Sequence, residues 1–347
     1  MGIVRTMRAV LIGATAVVMG VVGTASAASA GGGGAASTCV NGSATVPIGL
    51  LSMATMAGRL CTPAGGADTV VVLVPGATYT GVYWDFTYQP GTYSQVRSLL
   101  SAGFATYTVD RIGTGASSKP LAALVTVNKQ AKAVNASIQK LRAGAIGGVA
   151  FDRVVLMGHS LGSLISMEAA ATYGGLDGLV VTGMTHSVNF LLVGEFLLSF
   201  TSAPLDPAFA PSGLDPLYLT TQPGVRGGLF HSASDPVPAV VAEDEATKSV
   251  LATGELTEGV IRMVLSKSPA ITAPVLVSMG AEDKLFCGMV TSVCGSSAAL
   301  LAAEAPHFPN AASLSADVTP VAGHDLTLAR NTGDYQAAVA AWIAANV

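Results

Sequence analysis

The sequence predicts an α/β fold, a mostly parallel central sheet with helices on both faces and one inserted segment. Three observations carry this expectation. Short, continuous apolar runs recur along the chain, stretches with apolar residues at helical spacing lie between them, and one run turns into a helix through a glycine-bounded serine. Unbroken apolar runs suit parallel strands covered on both faces, and their alternation with helices is the pattern of a doubly covered sheet.

Taken in order, residues 70–75 and 104–110 are the first strand candidates, and residues 93–102 between them have helical spacing, with Gly103 as a stop. Residues 126–142 carry Ala131, Val134, Ile138 and Leu141 on one stripe, the mark of a helix with one buried face. Residues 153–157 (R-V-V-L-M) form a strand ending at Gly158, and residues 161–173 form a helix stopped by Gly174 and Gly175. Strands are expected again at 178–183, 274–279 and 317–321, and an Ala-rich helix at 335–345 closes the chain.

One segment breaks the rhythm. Residues 188–269 hold eight of the seventeen prolines, a Leu/Phe-rich stretch at 189–200 and an acidic helical piece at 240–267. This is too long for a loop joining two strands and reads as an inserted cap. The core is then 31–187 together with 270–347, of which 31–38 is a Gly/Ala/Ser-rich leader.

The first thirty residues do not read as part of the fold. Arg5 and Arg8 precede an uncharged apolar stretch from 9 to 22, and Ala-Ser-Ala ends at Ala27 and again at Ala30. That is the build of a secretory signal peptide cleaved near Ala27 or Ala30, with the mature protein extracellular. The apolar run is shorter than the ~20 residues of a spanning helix, so no stable membrane anchor is expected. Losing two Arg and no acid moves the net charge from −4 to −6. With 11% charged residues and no basic run, nucleic-acid binding has no electrostatic footprint.

The cysteines number four, Cys39, Cys61, Cys287 and Cys294. An even count in an exported chain favours two disulfides, and of the three possible pairings the two local ones, Cys39–Cys61 and Cys287–Cys294, are preferred for closeness in sequence. No C-x-x-C or neighbouring His pair supports a zinc site.

Gly158-His159-Ser160-Leu161-Gly162 is a G-x-S-x-G elbow set between a strand and a helix, the context that gives this otherwise weak motif its meaning. A serine there is pushed into the open on a strained turn beside a helix N-terminus, and the glycines leave room for the neighbouring chain. The hydroxyl becomes a useful nucleophile only when a base takes its proton. Of five His, His324 in V-A-G-H-D-L stands after the last strand and fits the base, with His307 as the alternative. His159 suits packing within the elbow or the pocket wall, His186 could line the pocket, and His231 lies in the proposed cap. The orienting carboxylate is expected after the strand at 274–279, where Asp283 is favoured and Glu282 is the runner-up. Asp325 is read as a loop cap.

Together with these residues, Pro75-Gly76-Ala77 after an early strand, Asp110-Arg-Ile-Gly113-Thr-Gly115-Ala-Ser117 after the next, and the late insertion resemble the α/β-hydrolase superfamily, in its serine esterase and lipase branch. The resemblance runs from Val70 to the C-terminus. It implies a two-step acyl transfer through Ser160, His324 and Asp283, without metal or organic cofactor, and an oxyanion hole from the backbone amides of Leu161 and of Ala77 or Thr78. Pro75 stands where relatives usually carry His, which backbone donation does not need. The implied substrate is a small-molecule or lipid-like ester with an apolar part. Thr78 and Tyr79 are further pocket candidates, and Tyr83, Trp84 and Phe86 could equally be core. Amide, lactone and thioester cleavage or acyl transfer use the same machinery. A non-catalytic binding protein on this fold is the reading of a different class.

Overall fold

The chain enters its sheet through an antiparallel hairpin, β1 (Thr38–Pro47) and β2 (Met53–Thr62). The computed structural model describes residues 2, 37–288 and 292–347, and the expected signal segment, 1–30, lies outside them except for Gly2. The sequence reading gave this hairpin no strands. Its Gly, Ala and Met residues carry little β propensity, and only alternate side chains such as Ala44, Val46, Ala54 and Met56 reach the core. Cys39 and Cys61 face each other across the hairpin and are disulfide-bonded.

The next elements are β3 (Thr69–Val74), the single turn α1 (Pro90–Tyr93), α2 (Gln95–Ser101), β4 (Ala105–Val109), α3 (Val127–Arg142), β5 (Arg153–His159), α4 (Leu161–Tyr173) and β6 (Gly178–Thr182). Between β6 and the following sheet strand lie α5 (Phe190–Leu198), β7 (Phe200–Ser202), β8 (Tyr218–Thr221), α6 (Arg226–Phe230), α7 (Pro238–Ala246), β9 (Leu251–Ala252) and α8 (Thr253–Val264). The chain ends with β10 (Val275–Gly280), α9 (Ser297–Glu304), β11 (Leu314–Thr319) and α10 (Thr332–Asn346). The acidic piece at 240–267 is therefore not one helix. It breaks into α7 and α8 because Leu251 and Ala252 turn extended to pair with β8. The last strand also begins three residues earlier than expected, at Leu314.

Eight strands form one sheet in the order β1-β2-β4-β3-β5-β6-β10-β11, and β7-β8-β9 form a separate antiparallel sheet. From β4 onward every neighbour in the large sheet is parallel. The unbroken run in β3 shows why. Val70, Val72 and Val74 pack into one apolar cluster with Val134 and Ile138 of α3 and Leu164 and Ile165 of α4. Val71 and Leu73 point the other way, into a cluster with Leu99 of α2 and Val339 and Ile343 of α10. A period of two thus serves both layers, and each such Val or Leu stabilises the fold by roughly 1.5–3 kcal/mol. The parallel strands all end on one edge, where the loops after β3, β5, β10 and β11 meet, the usual ligand-binding edge of such sheets.

Candidate active site

Ser160 follows β5 with φ 53 and ψ −119, a backbone conformation that costs a non-glycine residue about 1–3 kcal/mol. The turn persists because the chain around it is over-determined. A Cβ on Gly158 would lie 2.3 Å from the carbonyl oxygen of Gly162, and one on Gly162 would lie 2.1 Å from that of Val74. The Ser160 amide donates to Thr182 O at 2.8 Å, tying the turn to β6. This geometry turns the Ser160 side chain toward a cavity, while α4 starts at the next residue.

His324 and Asp283 lie after β11 and β10, both buried, with His324 Nδ1 2.8 Å from Asp283 Oδ2. The other carboxylate oxygen accepts from the amides of Leu285 (2.8 Å) and Phe286 (3.1 Å), which fixes its plane. A neutral imidazole that donates Nδ1–H to Asp283 presents its lone pair at Nε2. Burial pushes the His324 pKa down, but the charge and hydrogen bond of Asp283 outweigh it, and the pKa lies above the ordinary value of 6.5. Glu282, the other acid in this loop, points elsewhere. It accepts from Ser232 Oγ (2.8 Å) and from the amides of Ala233 (2.9 Å) and Ser234 (3.1 Å) in the inserted segment.

Among the described residues no hydrogen bond joins Ser160 to His324, and His324 does not itself line the Ser160 cavity; the two are linked through their neighbours. The ring of His159, the neighbour of Ser160, is 4.8 Å from that of His324. Phe286, stacked 5.6 Å from the His324 ring, lines the same cavity as Ser160. That cavity is walled by Val193, Phe196 and Leu197 of α5, by Leu256, Gly259 and Met263 of α8, and by Ala77 and Leu161. Among the described residues the amides of Ala77 and Leu161 have no hydrogen-bond partner. Two unpaired amides of residues that line an apolar cavity, beside a half-buried serine, can hold a negative oxygen.

The remaining candidates lie off this cavity. Thr78 is wholly buried behind Ala77, with a backbone φ of 60. Tyr79 is buried with its hydroxyl on Asp325. His159 is sent to the opposite side from Ser160, stacked on Tyr83 (4.5 Å between rings) with Nε2 3.0 Å from Asp325 Oδ1, and burial holds its pKa low despite that carboxylate. His186 pairs with Glu304 Oε2 (2.7 Å), meets Ser268 Oγ (2.9 Å) and stacks on His307 at 4.0 Å. Tyr83, Trp84 and Phe86 belong to the core. Cys287 and Cys294 are disulfide-bonded just beyond Asp283.

Sequence reasoning passed over Arg226 and Asp244 and read Asp325 as a loop cap, whereas its carboxylate meets Tyr79 and His159. None of the three carries a motif, and only their total burial marks them. His231, Asp244 and Asp325 have ligand atoms within 4.8 Å of one another, yet both oxygens of Asp244 are engaged by Arg226 and His231, which disfavours a cation there.

Residues 71–342 match the profile of the Alpha/beta hydrolase family, most of the chain. The chain belongs to that family. The fold is also that of solved α/β-hydrolase structures. An esterase from Thermogutta terrifontis is 17% identical with a TM-score of 0.56, over 88% of this chain and 98% of that one. A carboxyl esterase from Bacillus coagulans is 14% identical with a TM-score of 0.60, over 88% and 98%. A bromoperoxidase from Bacillus anthracis is 16% identical with a TM-score of 0.57, over 88% and 99%. At these identities the α/β-hydrolase likeness is one of fold. No curated protein matches the sequence.

Proposed function

We propose that this α/β-hydrolase is a serine hydrolase that cleaves carboxylic esters with an apolar acyl or alcohol part. The observation that carries the reading is the meeting, at one apolar cavity, of a serine at φ 53 and two unpartnered amides, with the His324–Asp283 pair behind Phe286. In the reaction, His324 Nε2 takes the proton of Ser160 as Oγ attacks the carbonyl carbon. The amides of Leu161 and Ala77 hold the oxyanion, each such donor contributing about 3 kcal/mol to the transition state. The alcohol leaves with the proton from His324. Water, deprotonated by the same imidazole, then attacks the acyl-enzyme and releases the acid. Asp283 orients the ring and stabilises the imidazolium.

The segment 188–269 serves on this reading as a cap whose helices make the acyl pocket. Two disulfides fit a protein exported to an oxidising compartment, as the leader pattern suggests. Two of the neighbours bear the name esterase, which agrees with the reading. The test is an active-site label. A fluorophosphonate should modify wild type and not Ser160→Ala, and p-nitrophenyl esters should be hydrolysed only by wild type. A wild-type protein that takes no label and turns over no ester overturns the proposal in favour of a binding protein.

A further inference from the structure

Thr78 is wholly buried and holds φ 60, an unfavourable backbone conformation for a β-branched residue. It touches no substrate space, so something else must keep it there. The bonds around it come from the inserted segment. Arg226 Nη1 on α6 donates to Thr78 Oγ1 at 2.9 Å, and that hydroxyl donates in turn to Ala77 O at 2.6 Å. The amide of Ser249, before β9, donates to Thr78 O at 2.8 Å. Within the loop the Tyr79 amide closes on Gly76 O at 3.3 Å.

Arg226 is itself immobilised. Its Nε and Nη2 grip Asp244 Oδ2 and Oδ1 at 3.0 and 2.8 Å, and its guanidinium lies 4.2 Å from the centre of the Tyr79 ring. Asp244 also meets His231 Nε2 at 3.0 Å. The planar, forked guanidinium is what lets one side chain hold a carboxylate and still reach a hydroxyl. From Tyr79 the network continues to Asp325, the residue after His324.

We propose that Arg226 and Thr78 are positioning residues, through which the inserted segment clamps the loop that aims the Ala77 amide at the oxyanion. The proposal rests on the acyl-transfer reading. It goes beyond it in giving the insertion a part in the chemical step besides shaping the pocket. The chain of action is Arg226 to the Thr78 hydroxyl, the hydroxyl to the Ala77 carbonyl, and so to the tilt of the loop that carries the donor. A donor displaced from the oxyanion forfeits part of the roughly 10²–10³-fold that one donor contributes to kcat. Ground-state binding of the apolar group is untouched, because neither Thr78 nor Arg226 lines the cavity.

The test compares Thr78→Val, which keeps the shape and deletes the hydroxyl, with Thr78→Ser, which keeps the hydroxyl. Active sites are counted by end-point fluorophosphonate titration, so that misfolded protein drops out. Thr78→Val should lose about 10-fold in kcat per active site with KM unchanged, and Thr78→Ser should stay near wild type. A Thr78→Val enzyme with wild-type kcat per site, whatever its Tm, overturns the proposal, as does a Thr78→Ser enzyme equally impaired. Should Thr78→Val not fold, Arg226→Lys decides. One ammonium cannot serve Asp244 at both oxygens and Thr78 together, so the same fall in kcat is expected, and a wild-type kcat overturns the proposal. Failure of the underlying function looks different, since the wild type then takes no label at all.

Discussion

Gly259→Leu tests whether the cavity beside Ser160 measures the acyl chain. Gly259 sits on the inner face of α8 and lines the cavity. A Cβ placed there would lie 3.6 Å from Leu161 Cδ1 and 3.7 Å from Leu164 Cδ2, ordinary contact distances, so a side chain can be carried without forcing the helix away. Leucine then puts about four carbons into space that an acyl chain would use. At about 0.8 kcal/mol for each methylene kept from burial, the displaced chain loses about 3 kcal/mol, or roughly 200-fold in kcat/KM. An acetyl ester needs none of that space and should be hydrolysed at the wild-type rate. The assay is kcat/KM for p-nitrophenyl esters from acetate to decanoate, with the thermal midpoint as a check on folding. Replacing a mid-helix glycine should leave that midpoint unchanged or raise it. An equal loss for every chain length would refute the reasoning, because it would mean that the substitution disturbs the chemistry and not the pocket. An unchanged decanoate rate would refute it too, because the chain would then lie elsewhere.

Activity should fall as pH drops, because a protonated His324 cannot accept the serine proton. Asp283 holds the His324 pKa above 6.5 against the pull of burial, so the acid limb of kcat/KM should have its midpoint above 6.5, and Asp283→Asn should move it down. A wild-type midpoint below 6.5 in a pH–rate profile contradicts that arrangement. The disulfides should differ in weight. The partners of Cys39–Cys61 are 22 positions apart and those of Cys287–Cys294 are 7 apart, so on the chain-entropy account their loss costs about 3.4 and about 2.4 kcal/mol. Denaturant melts of the two double Ser variants check this, and the reverse order would show that something other than chain entropy dominates.

The central sheet was legible because burial on two faces writes itself as unbroken apolar runs, as in Val70–Val74, and because the elbow glycines admit few alternatives. His324 and Asp283 were nameable for a similar reason, since strand ends on one edge of a parallel sheet are neighbours in space. The β1–β2 hairpin was not legible. It is an edge with one face half exposed, and its pattern of small residues gives neither a clear period of two nor a run. The break between α7 and α8 was missed because two extended residues, Leu251 and Ala252, are set by pairing with β8 and not by their own propensity. The partners of Asp325, and Arg226 and Asp244 altogether, were invisible for a deeper reason. A buried charge is recognised by its partners, and those partners, Tyr79 and His159 for Asp325 and Thr78 for Arg226, are scattered across the sequence.

Further charged contacts bear on how the inserted segment is held. Arg111, in the loop after β4, forms a fully buried ion pair with Glu255 at the start of α8, and Gln130 of α3 donates to that carboxylate at 2.8 Å. Lys267 and Arg262 reach Glu168 of α4 at 2.5 and 3.4 Å. Arg226 reaches Thr78 as described. A fully buried pair such as Arg111–Glu255 adds little net stability compared with apolar packing, but pulling one partner away leaves a stranded charge and costs about 3–5 kcal/mol, whereas the pair of the exposed Lys267 is worth less. A segment fastened at α6 and at both ends of α8 therefore resists swinging off as a rigid lid, since the Arg111–Glu255 and Arg226–Thr78 contacts would have to open together. Such fastening argues for a fixed roof. On the proposed ester-cleaving reading, selectivity then lies in the side chains that face the cavity, Phe196, Met263 and the bare position at Gly259, and not in the free energy of an opening step.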